Sequence, residues 1–329
     1  MLKYNVAIRT VGKAGEKYVQ EILSLNAQTI TPHRIVVYIA EGFDLPPRVA
    51  DEEYVVAPQG LVHQRAIIPD DIDVDLLLIL DDDVLLPQDT VERMYKMLKE
   101  TEADCIIPDT FPSHKLSRWQ KIIAYMSNNV SSRDNDGFAV KIKRSGAFSF
   151  NGNPPEGALL PTQSGAGPAF FIKKDAFKAI RYDDEFWVDD FPAGTFYEDQ
   201  LMYYKMYVNG VKMFMWFDSG VFHLDAGTNN QREKSYDKLM YRAMANYVIW
   251  HRSVLSSTHG WWNRIRCHWA FSFRYALGML TRCVFVLMNR SPKYVTAYIR
   301  GALKGLFYVH KREYKGLPLF LTVKDDEKC

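Results

Sequence analysis

The chain has 329 residues, 47% of them apolar and 24% charged, which supplies a large core and excludes an intrinsically disordered protein. The formal charge of +2 conceals a division: residues 240–329 carry 15 Lys and Arg against four Asp and Glu, whereas residues 1–239 carry 26 against 35. An acidic body and a basic tail point to different work, while no nucleic-acid reader motif accompanies the charge, so nucleic acid is not an expected partner.

In chain order, Tyr4 to Ile8 is a short apolar strand with no export-type apolar leader around it. A helix follows over Gly12 to Asn26, with Val19, Ile22, Leu23 and Leu25 at helical spacing. Arg34 to Ile39 and Glu53 to Val56 read as strands, and Leu61 to Ile68 as a short helix. Val74 to Leu80 is a fourth strand, after which Pro87 and Asp89 introduce a helix with Val91, Met94 and Leu98 on one face. Asp104 to Ile107 is a further strand. Residues 108–165 are less regular, with a helix expected over 115–127 and a hairpin over Phe138 to Phe150. Ala169 to Ile172 returns to buried-strand character. A helix spans Thr195 to Asn209, where Thr195 and Glu198 stand in capping-box spacing and Asn209-Gly210 makes a stop. Val211 to Phe217 and Val221 to His223 are late strands, and from 232 onward the pattern is helical and rich in Trp, Tyr and Arg. Strands alternating with helices predict an α/β fold with a mostly parallel, Rossmann-like central sheet flanked by helices. The expected division is a nucleotide-binding and catalytic unit over 1–231 and a basic, aromatic helical extension over 232–329. Cys105, Cys267, Cys283 and Cys329 form no CxxC pair, which fits reduced thiols in a cytoplasmic protein.

The sharpest signal is Leu76-Leu77-Leu78-Ile79-Leu80 running into Asp81-Asp82-Asp83. A purely aliphatic run is a strand covered on both faces, and ligands of open α/β sheets bind beyond the carboxyl ends of such strands. Alternation along an extended chain places Asp81 and Asp83 on one side and Asp82 on the other. Two carboxylates there suit a hard divalent ion that keeps positions open for phosphate oxygens. Two further segments carry chemistry. Ser164-Gly165-Ala166-Gly167 is either a close backbone approach to a ligand or a plain turn before a strand. Glu198-Asp199 opens a helix, where the dipole favours a charged carboxylate. There is no GxxxxGK[ST] phosphate loop and no GxGxxG after the first strand.

In order and spacing, Asp81-Asp82-Asp83, the segment from Ser164 to Ile172, and Glu198-Asp199-Gln200-Leu201 resemble the family 2 glycosyltransferases, which have the GT-A nucleotide-sugar fold. The resemblance covers roughly residues 4–225. It implies an inverting transfer of a sugar from a nucleoside diphosphate to an acceptor hydroxyl. Asp83 would hold Mg²⁺ or Mn²⁺, Asp81 would lie near the ribose or nucleotide with Asp82 either beside it or shaping the loop, and Asp199 would take the acceptor proton. Thr10, Glu41, Arg65 and Gly165 fall where the family contacts the nucleotide sugar. Glu41 stands in the Ala40-Glu41-Gly42 turn in place of an Asp-rich one. His223 is either a metal or diphosphate ligand or a structural residue. Glu198 reads chiefly as the capping-box acid and otherwise as an acceptor contact, while Trp187 and Asp190 of the Tyr182–Asp190 segment belong either to a solvated surface loop or to an acceptor site. The alternatives are a Mg²⁺-dependent sugar nucleotidyltransferase and a non-catalytic nucleotide-sugar-binding protein.

The tail interleaves Trp250, Trp261, Trp262 and Trp269 with seven Arg, and its most apolar stretch, Trp269 to Met288, is interrupted by Arg274 and Arg282. No clean membrane span results, but basic amphipathic helices suit an anionic membrane surface. The expectation is peripheral attachment to the inner face of the cell membrane, with a carbohydrate or lipid-linked glycan as acceptor and a role in cell-surface polysaccharide or glycolipid synthesis.

Overall fold

A computed structural model describes residues 2–110, 119, 135–165, 167–192, 196–224, 236–289 and 292–321. The strands are β1 (Tyr4–Thr10), β2 (Arg34–Ala40), β3 (Glu53–Ala57), β4 (Leu76–Asp81), β5 (Val84–Leu85), β6 (Cys105–Pro108), β7 (Val140–Ile142), β8 (Phe148–Phe150), β9 (Leu159–Pro161), β10 (Ala169–Lys173), β11 (Met213–Trp216) and β12 (Phe222–His223). The helices are α1 (Glu16–Asn26), α2 (Leu61–Ala66), α3 (Thr90–Thr101), α4 (Lys174–Ala179), α5 (Glu198–Val208), α6 (Tyr236–Trp250), α7 (Trp261–Asn289), α8 (Lys293–Tyr308) and α9 (Arg312–Lys315). A 3₁₀ segment spans Tyr182–Asp190, and a π-helical turn, His251–Leu255, continues α6.

Eight strands form one sheet in the order β3-β2-β1-β4-β10-β6-β11-β9. The half from β3 to β4 is parallel, as the alternation of strands and helices predicts, whereas β10 lies antiparallel between β4 and β6. The sheet is therefore α/β and mostly parallel, with helices on both faces. Even-numbered residues of β4, Leu78 and Leu80, share one core with Val6, Ile8, α1 and α3. Odd-numbered Leu77 and Ile79 share the other with α2, the 182–190 segment, α5 and α6. The aliphatic run in β4 is thus explained by burial on two sides.

The expected hairpin is β7–β8, paired antiparallel from Val140↔Phe150 to Ile142↔Phe148. The helix expected over 115–127 lies outside the described residues, Trp119 apart. The short strand β9, at the sheet's edge, carries no periodic signal in three residues. The expected late strand at 221–223 joins no part of the main sheet; β12 pairs with β5 in a two-stranded ribbon. The helix expected to start at Thr195 begins at Glu198, after Tyr197, with no side-chain cap. Glu198 is therefore the first helical residue, not the third residue of a capping box whose Thr195 lies outside the described residues. After residue 236 the helices are not a separate layer: Met244, Ala245, Val248, Ile249, Val309, Tyr314 and Phe320 belong to the same core as α5 and the sheet.

Candidate active site at the carboxyl edge of the sheet

Parallel pairing of β1 with β4 and β2 brings three strand ends to one edge, with Arg9 opposite Asp81 and Thr10 opposite Ile39. Helix α2 crosses beneath that edge. Its first turn is held by Asp189, whose carboxylate accepts from the backbone N–H of Val62 and of His63 and pairs with His63 Nδ1 at 2.8 Å. The carboxylate does the work of a cap, satisfying amides that a helix start leaves open. From α2, Gln64 donates to the carbonyls of Thr10 and Tyr38, tying it to the ends of β1 and β2. The next residue, Arg65, is fully buried and aims at the acids.

Arg65 Nη2 donates to Asp81 Oδ1 at 3.0 Å and to the Gly167 carbonyl at 3.1 Å, and Nη1 donates to Asp199 Oδ1. Arg9 grips Asp81 from the other side, Nε to Oδ1 at 2.5 Å and Nη2 to Oδ2 at 3.1 Å. Burial works to raise Asp81, but the charges and hydrogen bonds of the two guanidiniums outweigh it and hold the carboxyl down to about 2. Burial, and then the negative charge of Asp199, push the neighbouring Glu198 up to about 7 against the pull of Arg9 and Arg65. Tyr182, buried beside this group, donates to the Glu198 carbonyl.

Alternation ends at Asp81, because Asp82 and Asp83 form a turn. The same-side pairing of Asp81 with Asp83 expected from an extended chain therefore lacks its premise, and each acid enters a different contact. Asp82 accepts from the hydroxyl of Thr10, which in turn accepts from the Gly12 N–H at 2.7 Å. Burial, with the charges of Asp83 and Asp81, pushes Asp82 up to about 6 despite that bond. Thr10, expected against the nucleotide, is thus buried as a brace for the acidic loop. Asp83 is buried and stands 2.9 Å from His223 Nε2, where the β5–β12 ribbon sets His223 opposite Val84. Behind the loop, buried Glu21 of α1 accepts from the Val84 N–H, and burial pushes it well above the usual carboxylate range.

Gly165, which the sequence leaves as either a close approach to a ligand or part of a plain turn, packs against β6, where a Cβ would stand 2.8 Å from Ile107. At Gly167 a Cβ would stand 2.3 Å from Asp199 Oδ2, so only glycine lets the carboxylate lie against the backbone. The Pro168 carbonyl accepts from the Asp81 N–H at 2.9 Å, joining this segment to β4. Among the proposed acceptor contacts, Trp187 is a core residue instead. It is 8% exposed, packs among Phe191, Phe196, Tyr308 and Tyr314, and has no face open to a sugar. Asp190, the last residue of the 3₁₀ segment, and Glu41, just past the end of β2, are both exposed.

Arg9, Glu21 and Tyr182 are the residues of this edge that sequence reasoning missed, whereas Gly167 was read only as part of its glycine segment. Glu21 had a signal, because it falls on the buried face of α1 with Tyr18, Ile22 and Leu25. Arg9 had none beyond its place at the end of a strand; register alone sets it against Asp81.

Among the described residues no group of three or more His, Cys, Asp or Glu is arranged around a metal position. Asp83 and His223 still fit a divalent ion. Adjacent ligands of an octahedral ion at about 2.1 Å lie about 3 Å apart, against the observed 2.9 Å. The other positions would fall to substrate oxygens and water. No protein-family model and no curated protein matches the chain.

Proposed function

We propose that the protein is an inverting glycosyltransferase of the GT-A type. It moves a sugar from a nucleoside diphosphate to an acceptor hydroxyl in cell-surface polysaccharide or glycolipid synthesis. The observation that carries this reading is the convergence of Asp81, from the end of β4, and Asp199, from the start of α5, on one buried guanidinium. A nucleotide pocket alone needs the first acid; a transfer to a hydroxyl also needs a partly exposed carboxylate such as the second.

In this mechanism the donor lies across the carboxyl ends of β1 and β4, where ligands of α/β sheets gather. Arg9 and Arg65 fix Asp81 in its charged form, so it accepts hydrogen bonds from donor hydroxyls. Arg65 and Gly167 together orient Asp199, whose side chain is 37% exposed, toward the acceptor. As the acceptor oxygen attacks the anomeric carbon, its proton passes to the Asp199 carboxylate, and the glycosyl–phosphate bond breaks. Asp83 and His223 would hold the divalent ion, and an imidazole in the donor set favours Mn²⁺ over Mg²⁺. When bound, such an ion supplies Lewis-acid stabilisation of the diphosphate leaving group.

A panel of nucleotide sugars offered with Mn²⁺ tests the reading. Release of free nucleoside diphosphate, dependent on an acceptor, is the expected result. Pyrophosphate exchange would make the protein a nucleotidyltransferase, and tight binding without turnover would make it a binding protein; either sinks the proposal.

A further inference from the structure

Helix α7 is built inside out. Trp262, Trp269, Phe273, Leu280, Val284 and Leu287 are 47–80% exposed. At 100° per residue these six fall within a stripe about 60° wide and about 37 Å long. The opposite side of the helix faces the protein and mixes apolar with polar groups. Cys267 and Phe271 pack on Trp250, Arg274 donates to the Ser145 carbonyl at 3.0 Å, and Arg282 lies over the Tyr298 ring. Isolated apolar residues at a surface are ordinary, but a continuous stripe marks a partner.

Charge identifies the partner. Between Asp237 and Glu313 the chain has no Asp or Glu and carries 13 Lys or Arg. Arg266 projects within the stripe itself, on a stem long enough to keep its charge at a headgroup while its methylenes stay among the tryptophans. Two copies of this chain meeting at the stripe would bring like charges together. No helix among the described residues is long and apolar enough to cross a membrane. We infer that the outward face of α7 docks on an anionic lipid bilayer, with the helix lying in the plane of the interface and its stripe in the acyl boundary. The inference stands apart from sugar transfer, and its test uses neither donor nor acceptor.

The purified full chain is floated with phosphatidylcholine vesicles, with and without phosphatidylglycerol, at low salt. Binding to the anionic vesicles, with a blue shift of tryptophan emission, is expected. Phe273→Glu combined with Leu280→Glu should cut partitioning about tenfold or more. Arg266→Glu should weaken binding to anionic vesicles and make what remains less salt-sensitive, because fewer charge contacts are left for salt to screen. These side chains stand outside the core, so melting temperatures should not move; Leu287→Glu, at the most exposed position, repeats the test if the double variant fails to fold. Absence of binding to anionic vesicles overturns the inference. So does a stripe variant that partitions like the parent, or a dimer that Leu287→Glu splits in a chain that ignores vesicles.

Discussion

Two buried ion-pair clusters lie on the same face of the sheet and are built to opposite ends. Around Glu185 everything is closed: Glu185 and Lys205 are 0% exposed and Arg252 is 7% exposed. The carboxylate accepts from Lys205 Nζ at 3.0 Å, from Arg252 at 2.7 and 3.0 Å, and from Trp187 Nε1 at 2.8 Å. Both oxygens are saturated by groups from three elements, so the cluster pins the turn after α6 to α5 and the 182–190 segment. Around Arg65 the cation is equally buried, but its acids are not: Asp81 is 20% and Asp199 37% exposed. A closed cluster can only hold a fold together. A cluster with a buried cation and an open acid holds a reactive group in one orientation.

The largest expected effect is at the open acid. Asp199→Asn keeps the hydrogen bond to Arg65 but removes the proton acceptor, so turnover should fall about 10²–10⁴-fold. Its melting temperature should move less than that of a Glu185 variant. Glu185→Gln should do the reverse. It leaves Lys205 and Arg252 buried without their full counter-charge and should cost about 3–5 kcal/mol, measured by denaturant unfolding. Activity per folded molecule should be retained. Equal behaviour of the two variants in both assays would abolish the contrast. Gly167→Ala sharpens it, because the added methyl meets the Asp199 carboxylate directly. Displacing that acid by about 1 Å should lower turnover by up to about 10²-fold with little change in donor affinity.

The smallest effect is a pH slope. Glu198 is raised in the native state, from an ordinary 4.5 to about 7. Its stabilising contribution is therefore fully present below about 4.5 and is lost as pH rises through about 7. Glu198→Gln, neutral at every pH, should remove that slope, seen by comparing unfolding at about pH 5 and about pH 8. Asp199→Asn should lower the midpoint of the slope, since the Asp199 charge is part of its cause. A slope unchanged in both variants would separate Glu198 from the site.

Much of this edge was legible beforehand because its signals are local. Five aliphatic residues before three acids can only be a doubly covered strand with its charges beyond the end, and β4 is that. Asp199 was readable as an acid in the first turn of a helix, and Arg65 as the basic residue of the helix before β4. The errors arose where a local pattern was extended past its element. Asp83 was assigned a side by strand alternation, yet the strand stops at Asp81. Trp187 was read beside acids as an acceptor contact, yet it is a core residue, and two of those acids, Glu185 and Asp189, are spent on Lys205, Arg252 and the start of α2.

By itself, then, the sequence determined the parallel half-sheet, the acids at its carboxyl edge and the acid-free basic tail, because each depends on neighbours along the chain. Only the tertiary structure decided that Arg9 and Arg65 share Asp81, that Gly167 and not Gly165 makes room for the Asp199 carboxylate, and that α7 turns an apolar stripe outward. Those facts depend on strand register and on which face of a helix meets the core. Both are set by packing between residues up to a hundred or more positions apart, which no local pattern encodes.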